Sequence, residues 1–173
     1  MSFRVLGLSP DPFRPLFAMS DARLHELGAR RVIADDPRMP CRVSMEHARI
    51  GEEILLLNFE HQPANTPYRA THAIYVRRAA DRAYDAVDVV PDVLRSRLLA
   101  IRAFDAEHMM IDAEVCEGTR AADLFEGGSS ATRKRATCTS TTRSAAAMPR
   151  DSNARERVPL VRFRAPYRTA LAG

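Results

Sequence analysis

The sequence predicts a single small α+β domain with a mainly antiparallel sheet, about three short helices and a disordered C-terminal tail. Strand-like segments follow one another without regular strand–helix alternation, which disfavours a parallel βαβ architecture. One of these segments alternates apolar and polar residues, as the strands of half-exposed antiparallel sheets do. The composition then changes abruptly after residue 128. We therefore expect the domain to cover residues 1–128 and the tail to cover residues 129–173.

The centre of the predicted sheet is a hairpin within residues 51–78. Its first strand holds the most apolar run of the chain, Ile54 to Leu57 followed by Phe59. A polar loop with two prolines comes next, and a second strand-like run covers Ala70 to Val76. Two such runs around a polar, proline-containing loop favour a hairpin.

The remaining elements are short. Ser20 is suited to cap a helix over Asp21 to Leu27, and Gly28 is suited to end it. Pro91 is suited to the first position of a helix that reaches Leu98, because its missing N–H has no intrahelical partner there. The other expected elements are strands over Phe3–Leu8, Arg31–Ala34, Cys41–Ser44, Leu99–Phe104 and His108–Cys116, and a last helix from Thr119 to about Glu126.

The core is expected to form one contiguous cluster, because the central strands are the most apolar ones. In the strand over residues 108–116 the alternation predicts that Met109, Ile111, Ala113 and Val115 share one face. The predicted cluster comprises Ile54, Leu56, Leu57, Phe59, Ile74, Val76, Leu99, Ile101, Met109 and Ile111.

Composition indicates an ordinary soluble domain: the chain has 173 residues, of which 46% are hydrophobic and 28% charged. No apolar run approaches the roughly 18 residues of a membrane span, and the N-terminus lacks the pattern of a signal peptide. Three widely spaced cysteines, Cys41, Cys116 and Cys138, give neither a disulfide framework nor a zinc knuckle. We therefore expect a cytoplasmic protein that binds no membrane.

The net charge of +4 is unevenly distributed. Residues 1–124 carry 16 arginines against 19 acidic residues, and residues 125–173 carry 9 arginines and 1 lysine against 3 acidic residues. A basic tail can attract nucleic acid. No aromatic side chain for base stacking lies between Phe125 and Phe163, however. We therefore expect no specific nucleic-acid partner.

Several motifs carry a family resemblance. They read FRVLGLSPDPFRPLFAMSDARLHELGARRVIADD, PCRVS, GEEILLLNFEHQPANTPYRATHAIYVR and YDAVDVVPDVLRSRLLAIRAFDAEHMMIDAEV, in this order. Over about residues 2–124 the chain resembles the bacterial domain of unknown function 1203 (DUF1203) family. That family has no established activity, so the resemblance implies a class of protein and no chemistry. It also implies a final strand that reads approximately YLHVHNA and then GCYAAR, and this chain lacks both.

The missing ending suggests that the tail is a frameshift product. From Ser129 to Ala147 every residue is Ser, Thr, Ala, Arg, Lys or Cys, which cannot bury enough apolar area to offset the entropy of ordering. The chain contains 25 arginines and one lysine, as GC-rich codons would give. Synonymous codons for residues 139–142, read in a shifted frame, can encode His-Val-His-Asn. We therefore predict that the chain is out of frame from about Phe125 onward.

A candidate site lies at the loop of the central hairpin. His61 and His72 are expected at the same end of adjacent strands, and Arg69 lies in the loop between them. The guanidinium fork of arginine suits a carboxylate or a phosphate. Together with Cys41 and Arg42, these residues predict a site for a small anionic ligand near residues 61–72. The competing structural interpretation is that each histidine caps a loop backbone and that Arg69 pairs with Glu60.

Other functions stay open at this stage. His61 and His72 could hold a metal together with Glu60, although two histidines eleven residues apart are a weak signal. Cys41 could act as a nucleophile if one of these histidines activated it. A third alternative is an interaction module that dimerises through a sheet edge. No feature identifies a cofactor or an oligomeric state. Convergence of His61, Arg69 and His72 on one partly buried pocket would favour the ligand site.

Overall fold

The computed structural model describes residues 3–127 and, in backbone outline, the segments 137–139 and 160–163. The three α-helices of this described part are short: α1 Asp21–Glu26, α2 Asp92–Arg95 and α3 Ala121–Gly127. Two 3-10 turns cover Arg14–Ala18 and Gly118–Arg120. The strands are β1 Arg4–Leu6, β2 Ala29–Ile33, β3 Glu53–Gln62, β4 Ala70–Arg77, β5 Asp85–Val87, β6 Leu98–Phe104, β7 Met110–Glu117, β8 Thr137–Thr139 and β9 Leu160–Phe163.

The paired strands are antiparallel throughout the described sheets, as predicted. The strand orders are β2-β3-β4, β6-β7 and β5-β1-β9-β8. Short helices lie between strands without a βαβ crossover pattern. The α+β class with a mainly antiparallel sheet and about three short helices is confirmed.

The central hairpin is confirmed as β3 and β4. Leu56 pairs with Tyr75 and Phe59 pairs with His72. The register then shifts between Glu60 and Gln62. The intervening residue, His61, therefore occupies an irregular position at the loop end of the hairpin, opposite the strand that carries His72.

Local signals placed α1 correctly and α2 less well. The Ser20 hydroxyl accepts a hydrogen bond from the Arg23 N–H at 3.3 Å, and Gly28 ends the helix with a φ of 68°. Pro91 stands just before α2 as its N-cap. The expected extension to Leu98 is wrong because Leu98 pairs with Glu117 in the β6–β7 hairpin. Strand pairing therefore outweighed helix propensity at that position.

The expected strand over residues 41–44 is also wrong. This segment forms a buried loop whose backbone bonds go to different parts of the chain. The Arg42 N–H donates to the Tyr75 carbonyl at 3.0 Å, and the Leu8 N–H donates to the Arg42 carbonyl at 2.8 Å. A short loop can be buried in this way because partners from several elements satisfy its backbone groups.

The single core predicted from the sequence is replaced by three clusters among the described residues. The segment 39–48 explains the division because it contributes side chains to all three. Cys41 and Val43 belong to the cluster under β3 and β4, and Met45 belongs to the cluster around α2 and β6. The third cluster contains Met39, Ala34, Ala48, Ile54 and Tyr75. The segment 39–48 thus lies where the three clusters meet.

The expected inward face of β7 is wrong. Met109 and Val115 are 39% and 64% exposed, and Ile111 is exposed as well. In the described part of the chain no layer covers these side chains. The alternation of apolar and polar residues therefore predicted the strand correctly, but it did not predict which face of the strand is buried. In the central hairpin Leu55 is fully buried, whereas Leu56 is only partly buried against the third cluster.

The sequence also predicts that no segment spans a membrane and that the C-terminal tail is disordered. No helix among the described residues is long and apolar enough to cross a membrane. The predicted disorder of residues 129–173 falls largely outside the described residues and stays a prediction. The two described segments in that range form β8 and β9, and β9 pairs with β1.

Candidate functional site

The two hairpin histidines come together as the sequence predicts. The ring centroids of His61 and His72 lie 4.4 Å apart, with 31° between the ring planes. His61 is buried and His72 is half-buried. Burial lowers the pKa of His72, and the nearby charge of Arg102 lowers it further, against a hydrogen bond to the Thr71 backbone that raises it. The neutral imidazole of His72 is therefore favoured.

Arg69 does not join the two histidines as a free cation. Its Nε donates to Oε1 of Glu60 at 2.5 Å, and its side chain is 61% exposed. This is the ion pair that the competing structural interpretation anticipated. The structure therefore brings together two of the three loop residues, and the third has its charge compensated.

Cys41 lies away from both histidines. It is buried beside Tyr75, and its Sγ accepts hydrogen bonds from the Val43 and Arg77 N–H groups at 3.4 Å each. Tyr75 is three residues beyond His72 on β4, or about 10 Å along a strand. A Cys–His nucleophile pair is therefore not assembled, and Cys41 acts as a small core side chain.

Arg42 has the least usual environment of the five candidates. Its side chain is 2% exposed, and its Nε and Nη1 atoms are buried without a hydrogen-bond partner. Among the described residues no carboxylate forms an ion pair with it. Burial lowers the pKa of the Arg42 guanidinium well below its usual range, and the charge of Arg97 acts in the same direction, against a smaller effect of Cys41. The protein thus buries a guanidinium whose charge has no counter-charge and too few hydrogen bonds in the described structure.

The contrast with Arg77 shows that this is not how the chain treats buried arginines in general. Arg77 is also buried, but its Nε donates to Glu52 at 2.8 Å and its Nη1 donates to Glu46. Buried charges are normally paired in this manner. Arg42 lacks such compensation in the described structure.

Arg97 brings a second cationic side chain into this region. It follows α2, and its Nη2 donates to the Arg38 carbonyl. Burial lowers the pKa of Arg97, while the charge of Asp36 raises it and that of Arg38 lowers it. Because Arg97 also lowers the pKa of Arg42, the two guanidinium groups are close enough to repel each other.

His47 completes the group, because the charges of Arg97 and Arg42 both act on it. His47 Nδ1 and Ser44 Oγ are both buried without a hydrogen-bond partner. Burial lowers the pKa of His47, and Arg97 and Arg42 oppose its protonation. A hydrogen bond to the Arg38 backbone and the charge of Asp36 act in the opposite direction. We call Arg42, His47 and Arg97 the cationic cluster.

The loop that carries most of this cluster is firmly held. Pro40 and His47 form an antiparallel bridge, and the Cys41 N–H donates to the Glu46 carbonyl at 2.8 Å. Met45 adopts a φ of 53° at the tip, a left-handed conformation that costs a non-glycine residue about 1–2 kcal/mol. Such strain is retained where surrounding packing fixes it, and Met45 is buried in the second cluster. The loop therefore presents its polar groups in one fixed arrangement.

A metal centre has less support. In the part of the chain that the structure describes, no three side chains among His, Cys, Asp and Glu come together at one point. The cationic cluster would itself repel a metal cation. Its donors suit an anion instead, because guanidinium N–H groups bind carboxylate and phosphate oxygens.

Reasoning from sequence missed His47 and Arg97. His47 lies five residues after Arg42, so its proximity in the chain gave a local signal. Arg97 lies far along the chain, so only the tertiary structure brings it near Arg42.

The family comparison matches the chain over a region that contains both the histidine pair and the cationic cluster. A family model described as a protein of unknown function, DUF1203, matches residues 38–146. The chain belongs to the DUF1203 family. No curated protein and no solved structure matches this DUF1203 chain. The family description states no activity.

The limits of the match differ from those of the sequence resemblance. The matched range begins at residue 38 rather than near residue 2, and it extends past residue 124 to residue 146. The extension enters the segment that we predict to be out of frame. A DUF1203 match there is not what a wrong reading frame would give, so the frameshift stays a prediction for the coding DNA to decide.

Proposed function

We propose that this DUF1203 domain binds a small anionic ligand at the cationic cluster. The observation that supports the proposal is Arg42, whose guanidinium is buried with two nitrogens unpaired. Buried polar groups in folded proteins are almost always hydrogen-bonded. A charged group without partners is therefore a marker for a ligand that supplies them.

The energetics favour an anion over other partners. Removing an ion from water costs several kcal/mol unless a counter-charge and hydrogen bonds compensate it. Arg97 adds a second positive charge, and His47 adds a further hydrogen-bonding group. An oxyanion would satisfy the free N–H groups of Arg42 and offset the repulsion between the two arginines.

The proposal moves the ligand away from the hairpin loop where the sequence placed it. Arg69 already has Glu60 as its partner, so the loop offers no uncompensated cation from that residue. His61 and His72 remain a second candidate location, because they converge and are partly buried. Variants at Arg42 and Arg69 separate the two locations.

The interaction-module alternative has a weaker basis. In the described structure β7 pairs only with β6, which leaves its other edge open. The strand carries Asp112, Glu114 and Glu117 and no basic residue. Two copies paired along this edge would bring acidic side chains together, and like charges on adjacent strands are destabilising.

The test is anion-dependent stabilisation of the full chain. Thermal unfolding is followed by far-UV circular dichroism in sodium phosphate, sulfate and acetate, each compared with sodium chloride at equal ionic strength. A ligand present at 100 times its Kd stabilises by about 2.7 kcal/mol. We expect at least one oxyanion to raise the Tm in a saturable manner, because specific binding saturates and general screening does not.

Two variants locate the effect. Arg42→Met should abolish the anion-dependent rise in Tm, and Arg69→Ala should retain it. Loss of the rise in Arg69→Ala with retention in Arg42→Met would place the ligand at the hairpin loop instead. The absence of a saturable rise for every oxyanion tested, when the protein is folded, would contradict the proposal.

We also propose a cytoplasmic location for the protein. The two cysteines among the described side chains, Cys41 and Cys116, are buried free thiols. Reduced thiols are usual in the cytosol. Cell fractionation tests this point, and recovery of the protein outside the cytosol would contradict it.

A further inference from the structure

Strand β7 has an edge with which no other described strand pairs. The described segment β8 comes near β6 rather than β7. An eight-residue strand of this kind presents a row of backbone N–H and C=O groups that can pair with a further strand. Charged side chains alone can protect such an edge from pairing. The apolar side chains of β7 argue against protection as their only role.

One face of β7 is apolar although it is exposed. Side chains alternate between the two faces along a strand, so Ile111, Ala113 and Val115 share one face. Ile111 is 36% exposed and Val115 is 64% exposed. Ala113 and Val115, together with Ala100 and Arg102 on β6, line a shallow open depression. A strand added along this edge would place its own side chains beside these apolar residues.

The other face of β7 is acidic. It carries Asp112 and Glu114, which alternate with the apolar residues. Neither carboxylate forms an ion pair with a described residue. Asp112 instead accepts a hydrogen bond from the Ala113 N–H at 2.8 Å. In the β3–β4 hairpin, by contrast, Glu53 and Glu60 both bind arginine side chains.

The two faces together specify the chemistry of a partner strand. A second copy of β7 would bring acidic side chains next to acidic side chains, which is destabilising. Opposite charges on adjacent strands are stabilising, and so are pairs of apolar side chains. Arg102 pairs with Ala113 in the register, so this cation lies on the apolar face, opposite to that of the carboxylates. The edge therefore suits a strand in which basic and aliphatic residues alternate.

We propose that the open edge of β7 binds an extended segment of another protein in which aliphatic residues alternate with lysine or arginine. Backbone hydrogen bonds along the edge would supply affinity, and side-chain pairs would select the sequence. The basic side chains would face Asp112 and Glu114, and the aliphatic side chains would lie beside Ile111 and Val115. This inference is independent of the anion site, since none of these residues belongs to the cationic cluster.

Peptide binding to the full chain tests the proposal. The probe is the peptide acetyl-Thr-Lys-Val-Lys-Val-Lys-Thr-amide with a fluorescent label, and fluorescence anisotropy measures its Kd. One control peptide has glutamate in place of lysine, and a second has the same composition with its lysines grouped at one end. We expect the probe to bind at least ten times more tightly than either control. Sodium chloride should weaken the binding, because salt screens exposed charges.

Backbone pairing has its own control. Only one set of alternate N–H groups of an added strand faces the edge of a sheet. Of two probe peptides that are N-methylated at alternate residues, one for each set, one should therefore lose binding and the other should retain it. Hydrogen exchange of the unmodified protein gives an independent measurement, because the bound probe should slow the exchange of β7 amides.

A charge-reversed variant locates the peptide. The double substitution Asp112→Lys and Glu114→Lys should weaken binding of the probe at least tenfold and allow the glutamate peptide to bind. The matched control is Asp35→Lys with Asp81→Lys, which changes the net charge equally at exposed residues outside the β6–β7 hairpin. This control should keep the Kd within about threefold. Circular dichroism checks that both variants are folded, and hydrogen exchange of the unmodified protein decides if they are not.

Three results would overturn the inference. Equal binding of the probe and the peptide with grouped lysines would indicate charge attraction alone. An unchanged Kd in the folded charge-reversed variant, or unchanged exchange of the β7 amides, would place the peptide elsewhere. No binding to the folded chain would mean that the edge is covered by the C-terminal residues of the chain itself or by a second copy, and gel filtration separates these two cases.

Discussion

Arg42→Met tests whether the buried guanidinium is held for a ligand or for the fold. Methionine is unbranched and of similar length, so it can follow the path of the arginine stem without leaving a large void. Arg42 is 2% exposed, and two of its nitrogens lack partners. The substitution therefore removes an uncompensated buried charge rather than a set of stabilising contacts.

The expected magnitude follows from the cost of that charge. Replacing buried ionic groups with apolar side chains of similar volume is neutral or stabilises by about 1–4 kcal/mol. Arg42 has no ion-pair energy to lose in the described structure, so we expect a gain of about 2–4 kcal/mol in the free energy of unfolding in chloride buffer. Saturating anion at about 100 times its Kd would stabilise the unmodified protein by about 2.7 kcal/mol. The two proteins should therefore have similar stabilities when anion is present.

Urea unfolding provides the measurement. The chain has no tryptophan, so far-UV circular dichroism is the suitable probe. Arg77→Met is the matched control, because that buried arginine is paired with Glu52 and Glu46. Breaking a buried pair costs about 3–5 kcal/mol, and the exposed Glu46 places this pair at the lower end. If Arg42→Met lost more than about 1 kcal/mol in chloride buffer, Arg42 would be a structural residue and our reasoning would be refuted.

Four further outcomes are expected. Gly7→Ala should cost about 1–3 kcal/mol in unfolding free energy and weaken the anion response, because its Cβ would lie 2.0 Å from a carbonyl oxygen of the site loop. The free energy of unfolding should fall as the pH decreases below about 6.5, since the pKa values of His47 and His72 are lowered in the folded state and the unfolded state takes up protons first. Leu55→Ala should cost about 2–5 kcal/mol by urea unfolding, because Leu55 is fully buried. Sequencing of the coding DNA should show that the shifted frame reads His-Val-His-Asn across residues 139–142.

Each of these outcomes has a control or a contrary result. Gly51→Ala introduces left-handed strain at a φ of 83° where nothing lies near the added Cβ, so it should lower stability without changing the anion response. A stability that is flat between pH 7.5 and 5 would contradict the histidine assignment. Leu56→Ala should cost less than Leu55→Ala because Leu56 is only partly buried. A coding sequence without His-Val-His-Asn in the shifted frame would end the frameshift hypothesis.

The fold could be predicted where local chemistry decides it. The helix cap at Ser20, the left-handed Gly28 and the apolar β3–β4 hairpin are all readable from neighbouring residues. The loop over residues 41–44 could not be read in this way. Its composition suits a strand, but its backbone partners Tyr75 and Leu8 come from distant segments.

The site was predicted in part for the same reason. The histidine pair follows from hairpin geometry, and Arg42 follows from residue type. The relation between Arg42 and Arg97 depends on where the chain places the end of α2, which no spacing reveals. The sequence pattern could not predict the buried face of β7 either, because alternation does not show which side of a strand other elements cover.

The position of the segment 39–48 has a kinetic consequence for any ligand at the cationic cluster. Its side chains belong to all three hydrophobic clusters of the described domain. An opening of this segment would expose the three clusters together, so its free energy approaches that of global unfolding. Its amide protons should then be among the slowest to exchange with solvent. A ligand enclosed by this segment would dissociate slowly, on the timescale of large-scale opening rather than that of an ordinary surface loop.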